Sequence, residues 1–219
     1  MEKQVTIIQN KFFRKIHKLI QIAGYSRKYY RHDTILKEIF KKYFSKNSIS
    51  LDLGSGPIPK NPFNSEILKG ADFRENLENN VIYADLSLGK LPFKDDEFDF
   101  ISSYDVLEHI QRVDNHNGKT VFPFIVLMNE IFRILKPNGI FFNIQPVYPS
   151  KSVFQDPTHV NIMSEDTMDF YFCEKAWARI YGYNGTFKMC ENGWIGDKYF
   201  SFLQKNSNVT NDDLYFKQK

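Results

Sequence analysis

The chain has 219 residues, of which 42% are hydrophobic, 16% aromatic and 25% charged, which suits one globular domain with a substantial core and an added lobe. No run approaches the roughly 18 apolar residues of a membrane span, the opening Met1-Glu2-Lys3-Gln4 lacks the charged-then-apolar pattern of a leader, and Cys173 and Cys190 fit neither a disulfide framework nor a zinc motif, so the cytoplasm is the expected compartment. The net charge of +3 divides into +9 over residues 1–46 (12 Lys/Arg against 3 Asp/Glu) and −6 over the remainder (17 against 23); the basic part reads as a solvated helical face or as an attraction to an anionic partner such as nucleic acid, a membrane surface or a nucleotide-linked sugar.

In chain order, Ile8, Phe12, Ile16, Leu19 and Ile20 recur at helical spacing within residues 5–22, and Gly24 closes that helix. Asp33 is placed to cap a second helix whose apolar positions are Ile35, Leu36, Ile39, Phe40 and Tyr43. Residues 1–46 thus form a basic two-helix lid or flank, with Tyr29, Tyr30 and Arg31 in its hinge either packing or reaching a cofactor carboxylate.

Residues 49–59, I-S-L-D-L-G-S-G-P-I-P, come next: a short buried strand that breaks into Gly54-Ser55-Gly56. Two glycines one residue apart let the backbone turn tightly and meet a ligand without a Cβ in the way, and in open α/β sheets ligands sit at the carboxyl ends of strands. A dinucleotide fingerprint would need a third glycine where Pro59 stands, and Pro57, Pro59 and Pro62 would disrupt a regular helix there. A cofactor without a pyrophosphate fits such a turn better. Further strands are expected at Ile67–Phe73, Val81–Ala84, Phe98–Ser103 and Ile140–Ile144, with helices from 105 to 112 and from Val121 to Leu135, the latter ended by Lys136-Pro137-Asn138-Gly139. Residues 145–165 form a long aromatic loop, followed by a helix from Asp166 to Tyr181 and an edge hairpin of Phe187–Glu191 and Lys198–Leu203. The alternation predicts an α/β, doubly wound, mostly parallel seven-stranded sheet with an antiparallel C-terminal hairpin and an N-terminal helical flank. The expected division is a flank over 1–46, a main domain over 47–205 and a polar tail over 206–219.

Five landmarks in order, L-D-L-G-S-G (51–56), Asp72, A-D-L (84–86) with L-P-F (91–93), F-D-F-I-S-S-Y-D-V-L-E-H-I (98–110) and N-E-I-F-R-I-L-K-P-N-G-I (129–140), resemble the class I S-adenosylmethionine-dependent methyltransferases, in particular a type 11-like subgroup. The resemblance covers about residues 49–145, and F-Q-D-P-T-H-V-N (154–161) looks like bacterial enzymes that methylate cell-envelope sugars or small molecules. It implies S-adenosylmethionine as cofactor, with the backbone of Gly54, Ser55 and Gly56 and the acid Asp52 at its methionine part and Asp72, followed by Phe73, at the ribose. Asp85 and Leu86 would hold the adenine, and Tyr104 and Asp105 would line the methyl-bearing end.

The implied reaction joins the methyl to a small polar acceptor, a sugar or nucleotide-sugar hydroxyl being favoured. His159, with Asp156 nearby, is the first candidate for the base and His109 the second, while Tyr148, Phe154 and Asp156 would contact the acceptor. His116 lies in a polar N-H-N-G turn and is expected to be exposed. No D/N-P-P-Y/F/W tetrad or proline-preceded cysteine points to a nucleobase acceptor, and no H-x-H or C-x-x-C to a transition metal; a magnesium site of scattered carboxylates stays open. RNA or another small-molecule acceptor, and a non-catalytic module with the same fold, are the alternatives; a nicotinamide dehydrogenase is disfavoured by Pro59.

Overall fold

The computed structural model describes residues 29–30, 34–87, 89–116 and 118–206. The helix expected over 5–22, Asp33, Arg31, the His116 side chain and all of the tail after Asn206 lie outside them. Strands β2 (Ile49–Leu53), β3 (Ile67–Asp72), β4 (Val81–Tyr83), β5 (Phe98–Tyr104), β8 (Leu135–Pro146), β9 (Phe187–Ile195) and β10 (Lys198–Lys205) form one sheet in the order β4-β3-β2-β5-β8-β10-β9. β4, β3, β2, β5 and β8 run parallel, and β10 is antiparallel to both β8 and β9. An eighth, two-residue strand, β1 (Tyr29–Tyr30), pairs with β9 at the outer edge. Four strands separate β1 from β2, about 24 Å at ~4.8 Å per step. The backbone of Tyr29 and Tyr30 is therefore at the wrong edge to serve the glycine turn.

Both sheet faces are covered, as the doubly wound pattern requires. Helix α1 (Thr34–Tyr43) lays Leu36, Ile39 and Phe40 on Phe100, Phe142, Phe200 and Phe202, so this part of the flank covers a sheet face and not the strand ends. On the other face, helix α2 (Pro123–Ile134) buries Phe124, Leu127, Met128, Ile131 and Ile134 with Leu51, Leu53, Ile101 and Phe141. Pro123 occupies the first turn, where its missing N–H has no intrahelical partner to lose. An irregularity in the β5–β8 register between Phe98 and Phe100 puts these residues into opposite cores although they are two apart.

Helices are fewer than the sequence pattern predicts. As Pro57, Pro59 and Pro62 predict, no helix follows the glycine turn: residues 54–66 are turns and bends. Phe63 takes over that helix's place in the core, with its ring stacked on Phe100 at 4.4 Å and edge-on to Phe40 at 4.9 Å. The helix expected from 105 to 112 is a single 3-10 turn, Leu107–His109. Asn161 is the reason: its Nδ2 donates to the Leu107 carbonyl and its backbone N–H to the Glu108 carbonyl, so acceptors that a continuing helix would use are taken. Residues 114–121 then form a hairpin of β6 (Asp114–His116) and β7 (Lys119–Val121). The segment 166–181 divides into α3 (Thr167–Phe172) and a 3-10 turn, Trp177–Tyr181, because Ala176 takes a left-handed conformation at φ +42°. β8 starts at Leu135, five residues before the expected Ile140.

The L-P-F landmark is pinned to α2 by two side chains, Arg133 and Glu130. Arg133 donates to the carbonyls of Leu91 (3.2 Å) and Phe93 (2.9 Å), to Asp95 (2.7 Å) and through two nitrogens to Glu130 (2.9 and 2.6 Å). Arg133→Ala should cost about 2–3 kcal/mol in urea unfolding, since it strips charged partners from half-buried acceptors. Burial alone would raise the Glu130 carboxyl, but the hydrogen bonds from Arg133 and the Leu91 N–H hold it below the ordinary carboxylate value. A depressed folded-state value stabilises above the unfolded value and is lost as pH falls through the folded one. The Arg133→Ala protein should accordingly lose less stability than the wild type on acidification from neutral pH.

Candidate active site

The site starts at the carboxyl end of β2. Gly54 and Gly56 adopt φ +60° and +63°, left-handed values that other residues rarely take. A Cβ on Gly54 would lie 2.4 Å from Val106 Cγ2, so the turn after β5 packs directly on the glycine turn. A Cβ on Gly56 would meet nothing within 4 Å, which leaves open space for a ligand there. The Gly56 N–H donates to Asp72 Oδ2 at 2.9 Å, and Asp72 Oδ1 accepts from the Arg74 N–H at 3.0 Å and from Arg74 Nε at 3.3 Å. Asp72 is buried; Arg74 occupies both acceptor sites of Oδ1, and Oδ2, with one bond from Gly56, keeps a further lone pair for a ligand hydroxyl. Phe73 beside it is 64% exposed, under the Arg74 guanidinium. Asp85 and Leu86 follow β4, half-buried, with one Asp85 oxygen accepting from the Ser87 N–H at 2.9 Å. Glycine backbone, open space and the two acids fit an adenosyl ligand.

Asp52 differs from its expected part. It is only 1% exposed; Ser102 Oγ donates to Oδ1 at 2.7 Å and the Lys60 N–H to Oδ2 at 2.8 Å. Burial raises its carboxyl above the usual value, against these two hydrogen bonds. Asp52 thus anchors the proline loop and does not face a ligand's ammonium group. Ser55 is buried too, its hydroxyl donating to the Gly56 carbonyl.

Beyond β5, Tyr104 lies under the Lys60 ammonium, 4.7 Å from the ring centroid, and faces the α1 side. Asp105 takes φ +56° and accepts from Lys198 Nζ. Glu108 and His109 come next. Glu108 is wholly buried, and neither carboxylate oxygen has a hydrogen-bond partner among the described residues. Burial first, then the charges of Asp105 and Asp156, push its carboxyl up to about 7, against its own backbone N–H and Lys198. His159 arrives from the long loop, with Nε2 4.0 Å from Glu108 Oε1 and 4.0 Å from Asp156 Oδ2. Its Nδ1 lies 3.1 Å from the Val153 carbonyl, which can only accept, so Nδ1 carries the hydrogen and Nε2 keeps its lone pair. By the same logic His109 Nδ1 donates to the Thr158 carbonyl at 3.2 Å. The two rings meet edge-on at 4.8 Å.

Sequence spacing pointed to both histidines but not to Glu108, which stood only as a neighbour in L-E-H-I. Lys60 and Thr158, which hold Asp52 and His109, gave no signal either. Asp156 is exposed and accepts from Thr158, while Tyr148 and Phe154 are 58% and 62% exposed on the loop surface. A cavity of about 330 Å³ adjoins the 107–112 turn, lined by Arg112, Phe122, Asn161, Tyr171 and Tyr181 among others, and by neither Tyr148 nor Phe154.

Residues 62–143 match the family model described as a methyltransferase domain. No curated protein matches the sequence. Among solved structures, the complex of the Haloferax volcanii Trm112 methyltransferase activator with its methyltransferase superposes at TM-score 0.54 and 15% identity, over 76% of this chain and 86% of that one. A SAM-dependent methyltransferase from Aquifex aeolicus gives 0.51 and 15%, over 78% and 89%. One from Methanosarcina mazei gives 0.51 and 14%, over 77% and 97%. At such identities these likenesses establish the fold alone, and the methyltransferase-domain match within it spans 82 of the 219 residues.

Proposed function

We propose that the protein transfers the methyl group of S-adenosylmethionine to a hydroxyl of a small polar acceptor, a sugar or nucleotide-linked sugar. The observation that carries this reading is the buried Glu108 carboxylate between two imidazoles, one packed turn away from Gly54. When bound, the cofactor supplies an electrophilic methyl: the new O–C bond forms as the C–S bond breaks, with that pair of electrons left on sulfur. The backbone around Gly54, Ser55 and Gly56 would hold its amino-acid part, Asp72 and Phe73 the ribose, and Asp85 and Leu86 the adenine. Tyr104 and Asp105 would border the methyl. A hydroxyl is a poor nucleophile until it loses its proton, and His159, with His109 beside it, is the group proposed to activate it, either by taking that proton or through an ion that it holds. The 330 Å³ cavity, with Arg112 and two tyrosines, suits an acceptor with a ring and an anionic or hydroxylated substituent. Residues 47–205 form the catalytic unit in this reading, 1–46 its flank and 206–219 a tail. The two free cysteines, Cys173 and Cys190, support a reducing compartment, the cytoplasm, and no described helix is long and apolar enough to cross a membrane.

Calorimetric titration tests the cofactor part: S-adenosylmethionine and S-adenosylhomocysteine should bind and NAD should not. Asp72→Ala should weaken binding at least ~10-fold, the worth of one charge-assisted hydrogen bond. Unchanged affinity would remove the ribose assignment. Sugars and nucleotide sugars should then be methylated on oxygen; turnover of amines alone would overturn the acceptor class.

A further inference from the structure

We propose that Glu108, His109 and His159 hold a divalent transition-metal ion at the acceptor end of the active site. One donor atom from each of the three lies within 4.8 Å of the others. His159 Nε2 stands 4.0 Å from Glu108 Oε1 and 4.0 Å from Asp156 Oδ2. Those separations are too long for hydrogen bonds, and an ion bonded at about 2.0–2.2 Å to each donor bridges them once the side chains draw in by roughly half an ångström to one ångström.

The surroundings of the donors point the same way. Each imidazole gives its Nδ1 hydrogen to a backbone carbonyl, Val153 for His159 and Thr158 for His109. That arrangement fixes the tautomer that presents Nε2 as a lone pair, as the outer partners of metal-bound histidines do. Glu108 supplies the strongest sign. A carboxylate buried to 0% exposure normally has donors around it, and neither oxygen of this one has a hydrogen-bond partner in any other described residue. Asp105 and Asp156 add negative potential at the same place, which repels an anion and draws a cation. Two imidazoles with one carboxylate select zinc-, manganese-, iron- or cobalt-class ions over magnesium or calcium, which prefer all-oxygen shells. Three protein donors leave coordination positions open, and there a coordinated acceptor hydroxyl gives up its proton to solvent more readily while the oxygen keeps the electron pair that attacks the methyl.

This inference rests on reading the cluster as the acceptor end of the site, but its test needs no acceptor. Full-length protein stripped with chelator is titrated with Co²⁺, and its visible absorption is followed. One saturable Co²⁺ per chain is expected, displaceable by Zn²⁺. His109→Ala, at an exposed position, and Glu108→Gln, which preserves shape, should each weaken Co²⁺ binding at least ~10-fold, with S-adenosylmethionine affinity unchanged as evidence of an intact fold. Protein that binds S-adenosylmethionine but no Co²⁺ overturns the proposal, as does equal Co²⁺ binding by both variants. Co²⁺ binding without S-adenosylmethionine binding would uphold the ion site and count against the cofactor assignments instead.

Discussion

His159→Ala should lower methyl transfer by roughly 10²–10⁴-fold, the usual worth of a group that acts on a reacting proton. The effect should fall on kcat, because the ring sits in the long loop after β8, where its partners are Val153, Glu108 and Asp156 and not the Gly54–Gly56 backbone, Asp72 or Asp85. Affinity for S-adenosylmethionine in calorimetry should accordingly match the wild type. The ring is mostly buried, and its Nδ1 hydrogen bond to Val153 and its edge contact with His109 show that the loop is built around it. His159→Gln, which keeps part of that volume, separates chemistry from packing: it should stay as slow as the alanine variant but unfold at a higher urea concentration. Full turnover in either variant would end the role of His159 in activating the acceptor.

Phe63→Ala should destabilise the protein by about 3–5 kcal/mol, the range for removing a buried phenylalanine without refilling its space. Phe63 is 1% exposed, and Phe40 and Phe100 close around it. Phe40 is fixed on α1 and Phe100 on β5, so the walls of the hole can close over it only by moving whole elements. Urea denaturation should show the loss as a shifted midpoint with an unchanged slope. The same substitution should weaken the cofactor site, because residues 57–63 also bring the Lys60 N–H to Asp52 and so hold the loop that begins with the glycines. A loss below about 1 kcal/mol would mean that the loop is not a core element.

The sheet was legible in the sequence because its signals are local. Ile49–Leu53, Val81–Tyr83 and Phe98–Tyr104 are short apolar or β-branched runs bounded by turn residues, and each strand appears within a residue or two of its expected limits. The helices were less legible because long-range hydrogen bonds decide them. Val106, Leu107 and Ile110 have helical spacing and all are buried, but Asn161, more than fifty positions away, takes the Leu107 and Glu108 carbonyls and stops the turn. The acids were found by position and their surroundings were not: Asp52 and Asp72 look alike in sequence, and only the fold shows one sealed under Lys60 and the other beside Gly56. Glu108 was missed for a similar reason. Its meaning depends on His159, which the chain delivers from a different loop.

The prolines between Gly56 and Phe63 have one more consequence. Pro57, Pro59 and Pro62 each fix a backbone torsion in the unfolded chain as well as the folded one, so this stretch has less freedom to lose when it orders. With Phe63 driven into the core at one end and Asp52 gripping Lys60 in the middle, the segment after the glycine turn is braced at two points. Where a helical version of this turn relies on a ladder of hydrogen bonds for stiffness, this chain relies on ring-locked torsions, and the entropic penalty of ligand association at that segment is correspondingly small.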